Sequence, residues 1–199
     1  QGFAERLRAQ PRADRMVAVN VAGPQVGEAV AAAVAALGIP QHWVKSQSAQ
    51  YGVRNLYDHP EHLGADRWAA LIGARALHDG ACMAVCAGTA TTVDILDAEG
   101  NFQGGLILPG IELMCRALAT NTAQLPLAAG KFARLPRNTM DAIVSGCLQA
   151  QAGAVERMVQ HVRAHCGAEP KCIMTGGAGW KMAPSMSVPF ELVDNLIFD

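Results

Sequence analysis

The chain has 199 residues, of which 51% are hydrophobic and 17% are charged, a composition typical of a globular protein with a sizeable core. The formal net charge of −1 argues against a basic surface for nucleic acid or an anionic membrane, and no apolar stretch is long enough to span a bilayer. The six cysteines show no C-x-x-C spacing, which favours reduced thiols and a cytoplasmic protein.

The first part of the chain predicts a layered α/β arrangement. Residues 16–21 are typical of a buried strand, residues 25–37 predict a helix that ends at Gly38, and a short strand follows around residues 43–44. Residues 51–64 are rich in Gly, Asn, Asp, His and Pro, and we expect a long loop with a function. A helix then begins at Asp66 and ends at Gly80. Strand, helix and strand in this order are the start of an α/β domain.

The second part predicts a three-stranded meander followed by helices. Strands are expected at 81–87 and 91–96, and a third strand reaches Pro109 after a hairpin turn at 97–100. A helix follows from Gly110 to about residue 119, and residues 120–138 are irregular. The remaining expectations are a long helix from Asn138 or Thr139 to about Cys166, a strand at 171–175 and a loop at 182–188.

The segment Leu63-Gly64-Ala65-Asp66-Arg67 could carry chemistry at a helix start. A carboxylate in the first turn lies near the positive end of the helix dipole, which keeps it ionised and able to accept a proton. The Arg67 guanidinium offers a fork of donors that suits a carboxylate or phosphate. Ordinary helix capping accounts for the same residues equally simply, so the segment alone leaves both interpretations open.

Two glycine turns could bind a nucleotide. Gly88 and Thr89 lie between two predicted strands, where a turn exposes N–H donors to phosphate oxygens, although a Thr-rich hairpin would look the same. Gly176 and Gly177 follow a predicted strand and would allow a nucleobase or ribose to approach closely, or would only provide the backbone angles of a tight connection.

Together these segments resemble the type III pantothenate kinases, a branch of the acetate and sugar kinase, Hsp70 and actin superfamily. Residues 55–68 (NLYDHPEHLGADRW) are similar to the family signature N-x-Y-x-x-P-x-x-L-G-x-D-R-W. Residues 88–94 and 104–110 are similar to its second signature. The resemblance covers nearly the whole chain. It implies an α/β fold of two ribonuclease-H-like lobes, with residues 1–80 as the remainder of an incomplete N-terminal lobe that carries the substrate loop and helix, and residues 81–199 as the C-terminal lobe.

The resemblance implies an activity and a set of site residues. The reaction would be the ATP- and Mg²⁺-dependent phosphorylation of pantothenate to 4′-phosphopantothenate, the first step of coenzyme A biosynthesis, with Asp66 as the general base. Gly88 and Thr89 would bind the ATP phosphates. Pantothenate would contact Tyr57 (or, as the alternative, Tyr51), Gly64, Ala65, Asp66, Arg67 and, from the partner subunit of a homodimer, Thr139.

Two features depart from the family pattern. The first phosphate loop, D-x-G-N-T, does not occur in the sequence, and because the chain opens on Gln1 we expect that an N-terminal piece is missing from it. Cys86 stands where the family has an Asp at a monovalent-cation site. A thiol is a poor ligand for K⁺ or NH₄⁺, which puts the cation dependence implied by the family in question. No other metal-ligand set is predicted.

Two rival functions remain open at this point. A non-catalytic ligand-binding or transcriptional accessory protein on the same scaffold is favoured by Cys86 and by the missing loop, but the intact G-x-D-R segment disfavours it. Another sugar or acid kinase of the superfamily would account for the glycine turns but not for the match over residues 57–67.

Overall fold

The computed structural model describes residues 3–10, 13–125 and 129–197. After a short helix α1 (Phe3–Arg8), strand β1 (Met16–Ala18), helix α2 (Pro24–Ala35) and strand β2 (Gln41–Trp43) follow one another. The two strands pair in parallel as a separate small sheet. Pro in the first turn and Gly38 (φ +67°) after the last turn set the limits of α2, because Pro suits a helix start and Gly the left-handed conformation after its end.

A seven-stranded sheet carries the rest of the fold. Its order is β3-β4-β7-β6-β5-β8-β9, and in the run from β7 to β9 only β6 is antiparallel to its neighbours. This order and direction are those of a ribonuclease-H-like core, as predicted. The strands are β3 (Ala49–Gln50), β4 (Val53–Asn55), β5 (Cys82–Ala87), β6 (Ala90–Leu96), β7 (Asn101–Pro109), β8 (Lys171–Thr175) and β9 (Glu191–Leu192).

Helices cover both faces of the large sheet. Helix α3 (Ala65–Leu77) packs one face through Trp68 and Leu71, while α4 (Ile111–Asn121) and α5 (Thr139–Cys166) cover the other. Strand β5 therefore buries side chains in both directions, with Ala84 toward α3 and Val85 toward α5, which explains its unbroken apolar sequence. A short helix α6 (Gly179–Met182) follows β8. In the part of the chain that the structure describes, no helix combines the length and apolar character needed to cross a membrane.

The predicted elements are confirmed with three differences, and the two-residue strands β3 and β9 were not predicted. The first strand ends at Ala18 instead of residue 21. The predicted loop 51–64 is wrong in its first part, because β4 lies there and joins β7 through the parallel pairs 54–101 and 55–102. The third difference is a 3₁₀ turn at 183–185 within the predicted loop 182–188. Residues 126–128 of the predicted irregular stretch lie outside the described residues. The predicted lobe boundary between residues 80 and 81 stays a prediction. Three elements before that boundary are joined to the large sheet, since β3 and β4 are two of its strands and α3 packs on its face.

The C-terminal segment crosses α3 at a glycine. Leu196 is buried at 1% exposure and packs in the same cluster as Trp68 and Leu71. A Cβ on Gly73 would overlap the backbone carbonyl oxygen of Leu196 and lie 3.2 Å from its side chain. The absence of a side chain at Gly73 thus lets the C-terminal segment lie directly on the helix backbone.

Candidate active site

A buried asparagine shapes the loop that leads into α3. Asn55, which begins the first signature, donates from Nδ2 to the Pro60 carbonyl and to Ser46 Oγ, both at 3.1 Å, and its Oδ1 accepts the Tyr57 amide at 3.1 Å. Ser46 Oγ also donates to the Pro60 carbonyl at 2.8 Å. Because each polar group of this buried side chain has a partner, the loop has one well-defined path.

Asp66 lies in the first turn of α3 with space beside its carboxylate. Gly64 is the N-cap residue, and no side chain caps the helix there. Asp66 Oδ1 accepts the Arg67 amide at 2.8 Å, which fixes the carboxylate near the positive end of the helix. A Cβ on Gly64 would lie 2.6 Å from Asp66 Oδ1, so the glycine leaves room for a ligand atom beside the carboxylate.

Arg67 is buried at 5% exposure and is held by two partners. Its Nε donates to both carboxylate oxygens of Asp94 at 3.1 Å, its Nη2 donates to Asp94 Oδ1, and its Nη1 donates to Tyr57 Oη at 2.9 Å. Burial lowers the pKa of Arg67, but the Asp94 carboxylate and the Tyr57 hydroxyl outweigh this, so the net direction is upward. Burial is also the main cause that raises the pKa of Asp94, against the opposing effect of Arg67.

A glycine on the neighbouring strand makes room for this ion pair. Asp94 lies in the middle of β6 with 0% exposure, directly opposite Gly105 on β7. A Cβ on Gly105 would overlap Asp94 Oδ1 and would lie 3.0 Å from Arg67 Nη2. Gly105, which belongs to the second signature, therefore leaves space for the ion pair of Arg67 and Asp94.

Tyr57 connects Arg67 to an open cavity. Its ring packs against Phe102 with centroids 5.1 Å apart, and the Arg67 guanidinium carbon lies 5.6 Å and 5.8 Å from the two ring centroids. A cavity of about 420 Å³ adjoins this cluster. Its lining residues are Leu56, Tyr57, Asp58, His59, His62, Gln103 and Gly104.

The two glycine turns predicted for nucleotide binding lie in one cavity. The Ala178 amide donates to the Ala87 carbonyl at 3.1 Å, and the Gly110 amide donates to the Thr89 carbonyl at 2.8 Å. These bonds join the ends of β5 and β8 and the start of α4. The cavity, of about 340 Å³, is lined by Gly88, Thr89, Glu112, Leu113, Arg116, Gly177, Ala178 and Lys181.

An ion pair lies at this cavity between two helices distant in sequence. Lys181 Nζ of α6 donates to Glu112 Oε1 of α4 at 3.0 Å, and this hydrogen bond holds the pKa of Glu112 below its ordinary value. Arg116 lies one turn further along α4 and lines the same cavity. Two cationic side chains therefore adjoin the Gly88-Thr89 turn, a charge pattern that suits phosphate.

Cys86 lies near the carboxylates of Asp66 and Asp94 at the end of β5. Burial is the main cause that raises the pKa of its thiol to about 11, and the Asp94 charge acts in the same direction. The thiol is therefore neutral at physiological pH. A neutral sulfur does not fit K⁺ or NH₄⁺, which prefer oxygen ligands.

The other predicted contacts lie in different parts of the molecule. Tyr57 belongs to the Arg67 cluster, whereas Tyr51 is 76% exposed in the β3–β4 turn (φ +48°) and lines a different cavity. Thr139 is exposed in the first turn of α5, next to Asn138, which caps that helix through the Asp141 amide.

Comparison with known proteins agrees with this geometry. Residues 2–161 match the type III pantothenate kinase family. The chain belongs to that family. The type III pantothenate kinase of Aromatoleum aromaticum is 54% identical over 191 residues, which cover 96% of this chain and 78% of that protein. The corresponding Acidovorax ebreus protein is also 54% identical, with coverage of 95% and 75%.

Solved structures show the same fold at much lower identity. A candidate Baf family transcriptional activator from Campylobacter jejuni superposes with a TM-score of 0.64 at 23% identity, covering 98% of this chain and 81% of that one. A candidate 2-dehydro-3-deoxygalactonokinase from Sinorhizobium meliloti gives a TM-score of 0.50 at 14% identity, covering 80% and 62%. The predicted α/β fold is confirmed by these likenesses.

Several residues of this type III pantothenate kinase site were not predicted as site residues. Asp94 and Gly105 lie in the second signature, but nothing in the sequence pairs Asp94 with Arg67, 27 positions away. Three charged residues were also missed, because in the sequence they look like ordinary surface charges. The fold places Glu112, Arg116 and Lys181 around the Gly88-Thr89 turn. Asn55 begins the first signature and is the last residue of β4. Its hydrogen bonds within the loop account for an Asn at this buried position.

Proposed function

We propose that this chain transfers the γ-phosphoryl group of ATP to the primary hydroxyl of pantothenate, giving 4′-phosphopantothenate and ADP. The observation that carries the proposal is the packing of two segments. Helix α3, which begins with Asp66 and Arg67, packs directly on β5, whose end forms the Gly88-Thr89 turn. An acceptor beside Asp66 and a phosphate at this turn would therefore meet at one edge of the sheet.

On the acceptor side, Asp66 would orient the substrate hydroxyl and take its proton. An ionised carboxylate is a weak base, so the proton would pass to Asp66 late, as the new O–P bond forms. Gly64 leaves space beside this carboxylate. Tyr57 and Arg67 would bind the remainder of the pantothenate molecule, together with Ala65, which lines a neighbouring cleft.

On the nucleotide side, the Gly88-Thr89 turn would bind the ATP phosphates. Backbone N–H groups and the Thr89 hydroxyl are suitable donors, and Arg116 and Lys181 would stabilise the negative charge. Among residues 3–10, 13–125 and 129–197, no group of three or more His, Cys, Asp or Glu side chains could hold a metal ion. Mg²⁺ usually binds through substrate phosphates, water and one or two carboxylates, so it would arrive with the ATP phosphates.

The cation site implied by the family does not fit this chain. The Cys86 thiol, with a pKa of about 11, supplies neither charge nor oxygen. We therefore expect equal turnover in K⁺ and in Na⁺ at matched ionic strength. Strong activation by K⁺ would contradict this expectation.

A cytoplasmic homodimer completes the proposal. The resemblance assigns Thr139 to the partner's active site, and an exposed Thr139 is available for such a role. Exposed apolar side chains such as Ile107, which is 66% exposed, are suited to contact with a second copy. Light scattering on the full-length protein tests the oligomeric state.

The decisive experiment measures ADP release that depends on pantothenate. With the full-length protein, Asp66→Asn should lower kcat by about 10²- to 10⁴-fold, the usual contribution of a general base. Asp79→Asn, which changes an exposed carboxylate just beyond the other end of α3, should leave kcat unchanged. If wild type shows no pantothenate-dependent turnover, the kinase proposal fails and a ligand-binding role on this scaffold takes its place. If Asp66→Asn is as fast as wild type, the base assignment fails.

A further inference from the structure

The most buried ion pair of the site joins Arg67, which is assigned to the substrate, to Asp94, which is not. Asp94 is completely buried, and both of its carboxylate oxygens accept from the Arg67 guanidinium. Removing a carboxylate from water is costly unless it is paired with excellent geometry. A carboxylate retained at the centre of β6, opposite a glycine that clears space for it, points to a role beyond packing.

The hydrogen bonds of Arg67 leave part of its guanidinium available. The group has five N–H donors in a rigid plane. Asp94 takes the Nε–H and one Nη2–H, and Tyr57 Oη takes one Nη1–H. Within the described residues, one N–H on each terminal nitrogen is left without a protein acceptor among these contacts. A guanidinium with an N–H group left on each terminal nitrogen can bind the oxygens of a carboxylate.

The surroundings prevent this fork from turning. The bidentate contact with Asp94 fixes the plane of the guanidinium, and the rings of Tyr57 and Phe102 lie on it at 5.6 Å and 5.8 Å. Gly105 leaves the position directly opposite Asp94 on β7 without a side chain that would press on Asp94 and Arg67. The orientation of the two free N–H groups is therefore set before any ligand arrives.

We infer that Asp94 is a positioning residue that holds Arg67 so that its two free N–H groups select a substrate carrying a carboxylate. The inference rests on the proposed function, because it takes pantothenate, an acid, as the substrate. Asp94 itself does not touch the substrate. Because its charge neutralises that of Arg67, selection depends on the direction of two hydrogen bonds rather than on net attraction.

The test compares pantothenate with its primary amide, which keeps the reacting hydroxyl but lacks the carboxylate charge and one acceptor. Wild type should prefer the acid in kcat/KM by at least about tenfold, since a site built for hydrogen bonds discriminates against a ligand that leaves them unpaired. In Asp94→Asn this preference should fall below about threefold. Asp97→Asn, on the same β6–β7 hairpin, is the matched control and should keep the wild-type preference.

Each outcome decides the role of Asp94. If Asp94→Asn lowers kcat/KM for acid and amide by the same factor, Asp94 is structural only and the inference is overturned. A wild type that does not distinguish acid from amide overturns it as well. If Asp94→Asn does not fold, Asp94→Glu decides, because its extra methylene must displace the guanidinium, and a folded Glu variant with the wild-type preference refutes positioning. If wild type turns over neither compound, the proposed function has failed. The affinities of wild type and of Asp94→Asn for the acid and for the amide, measured by calorimetry, then give the acid-to-amide preference that decides this inference.

Discussion

The two sides of the proposed active site are built in opposite ways. On the acceptor side, the buried pair of Arg67 and Asp94 is enclosed by side chains and leaves only a small part of the guanidinium exposed. On the phosphate side, Gly88 and Thr89 are exposed, and the nearby charges form an ion pair at the surface between Lys181 and Glu112. One side is organised by side chains before a ligand binds, and the other is organised by backbone turns.

The difference follows from what each side has to recognise. A particular small acid is selected by groups whose direction is fixed, and fixing them in advance lowers the entropy lost on binding. A phosphate chain accepts hydrogen bonds from many directions, so N–H groups in a glycine turn with mobile cations beside them are sufficient. Loss of a charged side chain should therefore affect mainly folding on the acceptor side and mainly nucleotide affinity on the phosphate side.

The largest effect is expected for Arg67→Met. The change leaves the Asp94 carboxylate buried without its partner, which should lower the free energy of unfolding by about 3–5 kcal/mol and abolish turnover. Chemical denaturation measures the loss. Arg163→Met is the control, because the pair of Arg163 and Glu169 lies at the surface with 51% and 59% of each side chain exposed, and its midpoint should not change. Equal losses in the two variants would remove the contrast between buried and exposed pairs.

Gly110→Ala should have the next largest effect. A Cβ there would overlap the Gly88 carbonyl oxygen and lie 2.6 Å from that of Thr89, which should cost about 1–3 kcal/mol of stability as overpacking and raise KM for ATP. Gly153→Ala, at an exposed position within α5 with open space around it, should instead stabilise by about 0.5–1 kcal/mol. Thermal unfolding of both variants makes the comparison, and an unchanged KM for ATP in Gly110→Ala would argue against the phosphate turn.

A smaller, pH-dependent effect is expected for Asp97→Asn in the hairpin turn of β6 and β7. Partial burial raises the pKa of Asp97, but hydrogen bonds from Asn101, Gln103 and the Glu99 amide outweigh it, so its folded pKa lies below the ordinary value. This stabilisation is complete above the unfolded pKa of about 3.9 and is lost as pH falls through the folded pKa. The variant should be about 1–2 kcal/mol less stable at pH 7. Chemical denaturation should show this difference in unfolding free energy between wild type and variant at pH 7, and a much smaller difference near pH 2. The same difference at both pH values would exclude the carboxylate charge as its cause.

The smallest effect is expected for Lys181→Met at the nucleotide cavity. Loss of one mobile cation near the phosphates should raise KM for ATP by about three- to tenfold and leave KM for pantothenate unchanged. Lys171→Met is the matched control, because Lys171 forms a comparable surface pair with Glu191 outside that cavity. Steady-state kinetics with each substrate varied in turn gives both constants. An increase in KM for pantothenate alone would place Lys181 on the acceptor side.

Much of the fold was predictable because its elements carry strong local signals. The long helix α5 begins at Thr139, after the capping side chain of Asn138, and ends at Cys166, before Gly167 in a left-handed conformation (φ +61°), as the sequence pattern indicated. The meander from β5 to β7 was also predictable from its apolar runs and turn residues. Strands β3, β4 and β9 were missed because they have only two, three and two residues, too few for any periodicity to show.

The candidate site was predictable in its parts but not in its connections. The signatures indicated Asp66, Arg67 and Thr89, because each stands in a distinctive local pattern. That Arg67 is paired within the protein depends on strand register, which places Asp94 opposite Gly105 and under α3. Likewise, the pairing of Lys181 with Glu112 joins residues 69 positions apart. Such contacts follow from the tertiary fold, and local propensity carries no information about them.

The contact of the C-terminal segment with Gly73 has a consequence for motion. Helix α3 is held at its start by the ion pair to β6 and near its middle by the buried Leu196 lying on its backbone. These two attachments hold α3 against the large sheet. We therefore expect that, if the cleft of about 580 Å³ between α2, β2 and the start of α3 narrows when a ligand binds, the small β1–α2–β2 unit moves and α3 keeps its place.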